Sequence, residues 1–273
     1  MTTTAYTLPS VDNQNLDPQS LDSIWPWMSQ LFDYRFFAPS TTNDGKEVYP
    51  RATIAHKTMT YDLVFKWTTT PTIPSHTALY EKLETYFGDV SRRIYEEQIL
   101  PAAKNQALLD AYLSAWKRYD YCTNATDKEL NYYNRNHVTR LEDEGQGVKG
   151  VDPVKWGFPE IFTAKEDAEN AAKAAADEAV CPIRALGLRK WRKEVVEKVQ
   201  EQVVGILGEA EDGDEKKKLA GQIRTSFLAT GNDPTNEIMV KLRELSGEGV
   251  ATAAGEEKPA SSTTAEATEG AST

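Results

Sequence analysis

The 273-residue sequence is poor in the residues that build covalent or metal-stabilised folds, since it contains only two cysteines and three histidines. Cys122 and Cys181 are far apart and lack the paired spacing of a disulfide framework or a zinc cluster. No two histidines stand at helical metal-binding spacing; they are His56, His76 and His137. The sequence therefore predicts no disulfide framework, no metal site and no cofactor.

Long apolar runs and a positive net charge are also absent. No stretch of about 18 apolar residues occurs, so we expect no membrane span. The start, MTTTAYTLPS, lacks the basic and apolar regions of a secretory signal, which favours a cytoplasmic or nuclear protein. The net charge of −11 and pI of about 4.9 make nucleic acid and anionic membranes poor partners. One basic run is interpreted as a solvated helix face rather than a nucleic-acid site; it is Arg189, Lys190, Arg192 and Lys193.

Catalytic motifs are missing as well, because the sequence has neither G-x-S-x-G nor a phosphate-binding glycine loop. Cys122 could act as a thioester cysteine, but its place on an expected packed helix favours a small buried core residue. A short acidic run could clamp a metal, but a helix end paired with Arg135 and Arg140 is favoured; it is Glu142, Asp143 and Glu144. We expect that the protein is not an enzyme.

Apolar residues recur at helical spacing, and no stretch alternates as a β-strand would. The clearest period covers residues 77–99, with one apolar face formed by Leu79, Leu83, Phe87, Val90 and Ile94. Similar periods predict helices from residue 21 onward and over 53–68, 106–121, 123–141 and 235–245. The short connections favour an all-α fold, an antiparallel helical array.

Two local signals qualify this pattern near the N-terminus. Pro26 lies within the first helical period, which runs through Leu21, Ile24, Trp25, Met28, Leu31 and Phe32, so the helix is expected to kink or to start later. Asn43 to Lys46, NDGK, is a turn signal.

Polar, low-complexity sequence stands at both ends. Residues 1–16 and 247–273 are expected to be disordered, because such composition cannot bury enough apolar surface to fold. Inside the chain, residues 146–162 predict a glycine- and proline-rich loop, and the alanine-rich residues 163–180 predict an exposed helix.

Residues 108–145, LLDAYLSAWKRYDYCTNATDKELNYYNRNHVTRLEDEG, contain two ungapped groups of motif residues. The first group is Leu109, Tyr112, Trp116 and Tyr119; the second is Tyr132, Asn134, Arg135, Arg140, Asp143, Glu144 and Gly145. This pattern resembles the N-terminal scaffold region of the cullins, the elongated subunits of multi-subunit ubiquitin ligases. Three shorter stretches are also similar to cullin elements; they are LDSIW, ALGLRKWRKEVVEKV and IRTSFLATGND.

The resemblance implies a domain plan. Residues 17–205 would form a first cullin-type helical repeat, an elongated stalk with an insertion at about 146–182. Residues 206–246 would begin a second repeat. The cullin C-terminal domain, which binds a RING protein and carries the lysine that accepts a ubiquitin-like modifier, has no counterpart, so no RING partner is expected. A short paralogue and an incomplete gene model both fit this observation.

The resemblance also implies a partner and a binding site. Cullins hold their adaptor with the second and fifth helices of the first repeat, and Tyr61, Phe65 and Tyr132 match those positions here. The partner would be a Skp1-like or other BTB/POZ-fold adaptor, such as an elongin C-like protein, in ubiquitin-dependent protein catabolism. A cullin-derived interaction protein that no longer binds adaptors is the alternative. Tyr112 and Trp116 are expected in the core.

Overall fold

The protein, described here by a computed structural model, is a helical array over residues 6–12, 15–44, 46–70, 77–102, 106–138 and 180–248, the residues that the structure describes. The helices within these ranges are α1 Leu21–Phe37, α2 Ile54–Thr69, α3 Thr77–Ile94, α4 Gln106–Glu129, α5 Asn131–Tyr133, α6 Ile183–Trp191, α7 Glu197–Glu209, α8 Asp214–Ala229 and α9 Glu237–Leu245. Single π-helical turns follow α3, α5 and α6 at Tyr95–Ile99, Asn134–Val138 and Arg192–Val196. The all-α prediction is confirmed.

Helix α1 begins at Leu21, directly after its N-cap, so Pro26 does not make it start later. Ser20 is the N-cap, and its side chain accepts a hydrogen bond from the backbone N–H of Ser23. Pro26 is the sixth residue of α1 and has no N–H to donate to the carbonyl of Asp22, yet the helix continues to Phe37. The buried face differs from the predicted one in its first two turns, because Trp27 is buried whereas Leu21 and Trp25 are only half-buried.

A two-stranded antiparallel ribbon corrects the expectation of no sheet. Strands β1 Thr41–Asn43 and β2 Lys46–Val48 pair with Thr41 opposite Val48. The predicted NDGK turn joins them, and Asp44 adopts a positive φ of 49° there, which aspartate tolerates in tight turns. Strands of three residues are too short for an alternating apolar pattern, so the sequence carried only the turn signal.

Helix α4 is longer than predicted, and this shifts the boundary to the next helix. The sequence suggested separate helices over 106–121 and 123–141, whereas α4 continues to Glu129. The break lies at Leu130, whose φ of −92° and ψ of 13° depart from helical values. The chain then turns into α5, so Tyr132 follows the break rather than lying mid-helix.

The core is built where α6 packs against α3 and α4. The predicted apolar face of this segment is confirmed, since Leu188, Trp191, Val195 and Val199 are all buried. Trp191 packs on Tyr119, with ring centroids 4.4 Å apart. Tyr112 is also fully buried, as expected, and the partly buried Trp116 lies against Trp191 at 5.9 Å.

The basic run on this segment is not a solvated face, which corrects that interpretation. Arg189 is 1% exposed, and its Nη2 lies 3.8 Å from a carboxylate oxygen of Glu84 on α3. Lys190 contacts the same carboxylate at 2.8 Å. Arg192 is also largely covered, and its guanidinium donates to the carbonyl oxygen of Gly231 at 3.2 Å. Three of the four cations therefore pack between helices instead of facing solvent.

Residues 6–12 pack on the helices, which corrects the predicted disorder for this part of the N-terminal segment. The indole N–H of Trp27 donates to the carbonyl oxygen of Ser10 at 2.8 Å. The His56 Nε2 lies 2.9 Å from the carbonyl oxygen of Pro9, which is itself buried. Composition alone did not predict this packing, because the groups that accept these hydrogen bonds are backbone carbonyls, which are present in every sequence.

Helices α7, α8 and α9 pack together at the C-terminal end of the array, and α8 also contacts α4. Tyr112 joins the two parts through a 2.8 Å hydrogen bond between its hydroxyl and that of Ser226. The predicted last helix is confirmed as α9. Several predicted features lie outside the described residues; they are the loop and alanine-rich helix of residues 146–179, the acidic run with Arg140 and Gly145, His76, and residues 249–273.

Candidate functional site

Three aromatic side chains from two helices meet on one surface. Tyr61 and Phe65 lie four residues apart on α2, and their rings are nearly parallel, with an interplanar angle of 9°. The ring of Tyr132 on α5 meets both edge-on, with centroid distances of 5.6 Å to Tyr61 and 5.1 Å to Phe65. Edge-to-face contacts of this kind are the geometry that aromatic quadrupoles favour. We call these three residues the aromatic cluster.

The aromatic cluster faces outward, in contrast with the rest of α2. Tyr61 is 49% exposed and Phe65 is 39% exposed, whereas Trp67 on the same helix is 2% exposed. Helix α2 therefore has an inner apolar face that packs in the array and an outer face that carries the cluster. Large apolar side chains gathered at one exposed place are a feature that contact sites for other proteins share.

The position of Tyr132 follows from how α5 is held. Its neighbour Tyr133 is fully buried, so Tyr132 lies on the outer side of α5 next to α2. Asn134 then ties α5 to α6: its Nδ2 donates to Asp127 at 2.8 Å, and its Oδ1 accepts from the backbone N–H of Ile183 at 3.1 Å. Asp127 also accepts from the next N–H of α6, at 3.0 Å.

Tyr132 and Asn134 of the Tyr-x-Asn-Arg motif therefore have different roles. Helix α6 has no cap from its own preceding residue, Pro182, and the two side chains from α4 and α5 satisfy its first N–H groups instead. Asn134 is a packing residue, whereas Tyr132 keeps part of its ring on the surface beside α2.

Sequence reasoning missed one residue of this surface. Ile54, the first residue of α2, is 82% exposed. It precedes Tyr61 by seven residues and Phe65 by eleven, which brings all three within about 20–40° on a helix with 3.6 residues per turn. Ile54, Tyr61 and Phe65 therefore form an apolar row along the outer face of α2, which Thr58 interrupts. The spacing was readable in the sequence, but the exposure of Ile54 was not.

Both cysteines are buried, and neither is placed for nucleophilic chemistry. Cys122 is fully buried, and its Sγ lies 3.3 Å from the carbonyl oxygen of Arg35. Burial raises the pKa of its thiol to about 12, despite the nearby Arg118 and Arg35 guanidinium groups. The interpretation of Cys122 as a core residue is confirmed.

The described part of the chain has neither a metal-binding group nor a membrane-spanning helix. Its His, Cys, Asp and Glu residues form no group of three that could hold a metal ion. Within the same residues, no helix is both long enough and apolar enough to cross a membrane.

Comparison with known families decides the family of this chain. The family model described as the cullin alpha-solenoid domain matches residues 49–236, more than half of the chain. The chain belongs to the cullin family. The matched region of this cullin runs from before α2 to beyond α8 and therefore contains the whole aromatic cluster. A search of curated proteins gives no match.

Membership of the family sets the broad role. Cullins are non-catalytic scaffolds of ubiquitin ligases, so at the family level this chain supplies a helical scaffold domain in that context.

Proposed function

We propose that this cullin is a scaffold that binds a substrate-receptor adaptor with a Skp1-like or other BTB/POZ fold, and that the adaptor docks on the aromatic cluster. The observation that carries the proposal is the meeting of Tyr61, Phe65 and Tyr132, all partly open to solvent, across α2 and α5. The domain would serve in ubiquitin-dependent protein catabolism without catalysing a step itself.

The exposed area is large enough to matter for binding. At about 200 Å² per ring, the exposed fractions of Tyr61 and Phe65 leave roughly 180 Å² to be covered by a partner. At about 25 cal/mol per Å², that burial is worth on the order of 4 kcal/mol before the costs of association. A central interface aromatic typically costs at least about 2 kcal/mol when truncated, so the two estimates agree in size.

A second support comes from the rigidity of the site. Tyr61 and Phe65 stack on each other along a regular helix, and α5 is fixed by the hydrogen bonds of Asn134 to α4 and α6. Aromatic side chains held in place before binding lose little conformational entropy when a partner covers them. The described residues on this side of the array therefore offer a preformed surface rather than one that must fold on contact.

The domain plan remains part of the proposal. Residues 17–205 would be the first cullin repeat and residues 206–246 the start of a second. The contact between Tyr112 on α4 and Ser226 on α8 supports continuous stacking of the two.

The test is a double variant, Tyr61→Ala with Phe65→Ala, measured for both melting temperature and affinity for recombinant Skp1-like, BTB and elongin C-like adaptors. We expect at least about a thirtyfold loss of affinity with an almost unchanged melting temperature. The matched control is Trp67→Ala on the same helix. It removes a buried aromatic and should cost about 3–5 kcal/mol of stability.

Two outcomes would contradict the proposal. Unchanged affinity in a folded double variant would mean that the adaptor docks elsewhere. A wild-type chain that binds none of the three adaptor classes would favour the alternative, a cullin-derived helical protein that has lost adaptor binding. An additional single variant, Ile54→Ser, should weaken binding less than the double variant, since Ile54 lies at the end of the apolar row.

A further inference from the structure

A groove opens beside the aromatic cluster where α2 and α4 separate. It has a volume of about 540 Å³, and one wall is formed by Lys57, Thr58 and Tyr61 of α2. The facing wall carries Tyr121, Asn124 and Lys128 of α4. Tyr61 belongs to both the groove and the cluster, so a partner that covers the cluster also reaches the mouth of the groove.

The charges around the groove oppose those of the whole protein. Lys57 and Lys128 are both exposed, and neither has an ion-pair partner among the residues that the structure describes. Glu129 also lines the groove, but its carboxylate forms a buried salt bridge with Arg35, with side-chain exposures of 6% and 2%. The negative charge of Glu129 is therefore compensated from inside, and two free cations remain at this place on a chain of net charge −11.

We propose that this groove receives an aspartate or glutamate side chain of the adaptor that docks on the aromatic cluster, so that the partner surface is an apolar ridge flanked by carboxylates. The inference rests on the proposed function and specifies its partner. Two cations that flank a concave surface attract a carboxylate and repel a basic partner. The neighbouring rings supply the apolar contact, and the lysines select among adaptors that share one fold.

The physical signature of such a contact is its dependence on charge and salt. Exposed ions act mainly on the association rate, and their effect weakens with ionic strength. The Debye length is about 30 Å at 0.01 M salt but about 3 Å at 1 M, so the contribution of the lysines should fade over this range. The contribution of the aromatic cluster, which is apolar burial, should persist.

The experiment uses the full 273-residue chain and the adaptor of the three classes that binds it most tightly. Affinity is measured at low and high sodium chloride for Lys57→Glu with Lys128→Glu, and for Lys57→Gln with Lys128→Gln. The matched control is Lys217→Glu with Lys218→Glu, which makes the same change in net charge at two exposed positions on α8.

The charge reversal should lower the affinity at least about tenfold at low salt, the glutamine variant should lower it less, and both differences should shrink at about 1 M salt. The control should stay within about twofold of wild type. Equal affinity of the reversed variant and wild type at low salt would overturn the inference, as would a loss that is the same at both salt concentrations.

The two proposals fail in different ways. If Tyr61→Ala with Phe65→Ala abolishes binding but the lysine variants bind as wild type does, the proposed docking site is supported and the proposed carboxylate contact is wrong. If no adaptor binds the wild-type chain, both the proposed docking site and the proposed carboxylate contact are wrong.

Discussion

Replacing Gly187 with alanine should destabilise the array, because α6 packs closely against α3 and α4 at this residue. A Cβ atom added there would lie 2.5 Å from the Cγ2 of Thr123 on α4 and 3.4 Å from the ring of Phe87 on α3. The backbone cannot simply move away, since the carbonyl oxygen of Gly187 accepts a 2.8 Å hydrogen bond from the buried Tyr119 hydroxyl.

The size of the effect follows from three contributions. Overpacking a close-packed core costs about 1–3 kcal/mol. Weakening the buried Tyr119 hydrogen bond adds up to about 1 kcal/mol, and the better helix propensity of alanine returns about the same amount. The net loss should be about 1–3 kcal/mol, which lowers the melting temperature of a domain of this size by about 2–12 °C.

Two comparisons separate this clash from other causes, with stability measured by urea and thermal unfolding. Gly205→Ala on α7 meets nothing within 4 Å and should instead stabilise the protein by about 0.5–1 kcal/mol. Thr123→Ser removes the obstructing Cγ2 methyl and should recover part of the loss when combined with Gly187→Ala. If Gly187→Ala proves as stable as Gly205→Ala, the close approach has been misjudged.

Other predictions concern buried polar groups. Glu129→Ala leaves the Arg35 guanidinium buried without its carboxylate and should cost about 3–5 kcal/mol in urea unfolding; a loss below about 1 kcal/mol would refute this. Tyr112→Phe removes the 2.8 Å hydrogen bond to Ser226 between α4 and α8 and should lower the free energy of unfolding by about 1 kcal/mol. The amplitude of the helical circular dichroism signal lost on melting should stay the same as in the wild type. Because burial raises the pKa of Cys122 to about 12, the folded protein should resist thiol-specific labelling at about pH 8, and rapid labelling before unfolding would contradict this.

How far the sequence predicted this fold depends on how local each signal was. The apolar face of α3 was readable because a helix repeats its face every three or four residues, and all five predicted face residues are buried. The turn before β2 was readable from four consecutive residues. The end of α4 at Leu130 was not, since nothing in the nearby sequence breaks the helical period.

The aromatic cluster divides in the same way. The pair Tyr61 and Phe65 shares a helical face by spacing alone, but the place of Tyr132 beside them came from the cullin resemblance, not from any local rule. That Tyr132 faces outward while Tyr133 is buried depends on the orientation of α5, which Asn134 and Asp127 fix through contacts with α6 some fifty residues later.

The sequence alone therefore determined the helical class, the family resemblance and the residues that could form an outer apolar face. Only the tertiary structure decided which charged groups are buried and which are free. The sequence pattern around Arg189 predicts a surface cation, but Arg189 packs against Glu84. Lys57 and Lys128 are 71 residues apart in the sequence, yet they flank one groove. Charge burial depends on which helices meet, and long-range helix packing is set by the summed fit of many side chains rather than by any short pattern.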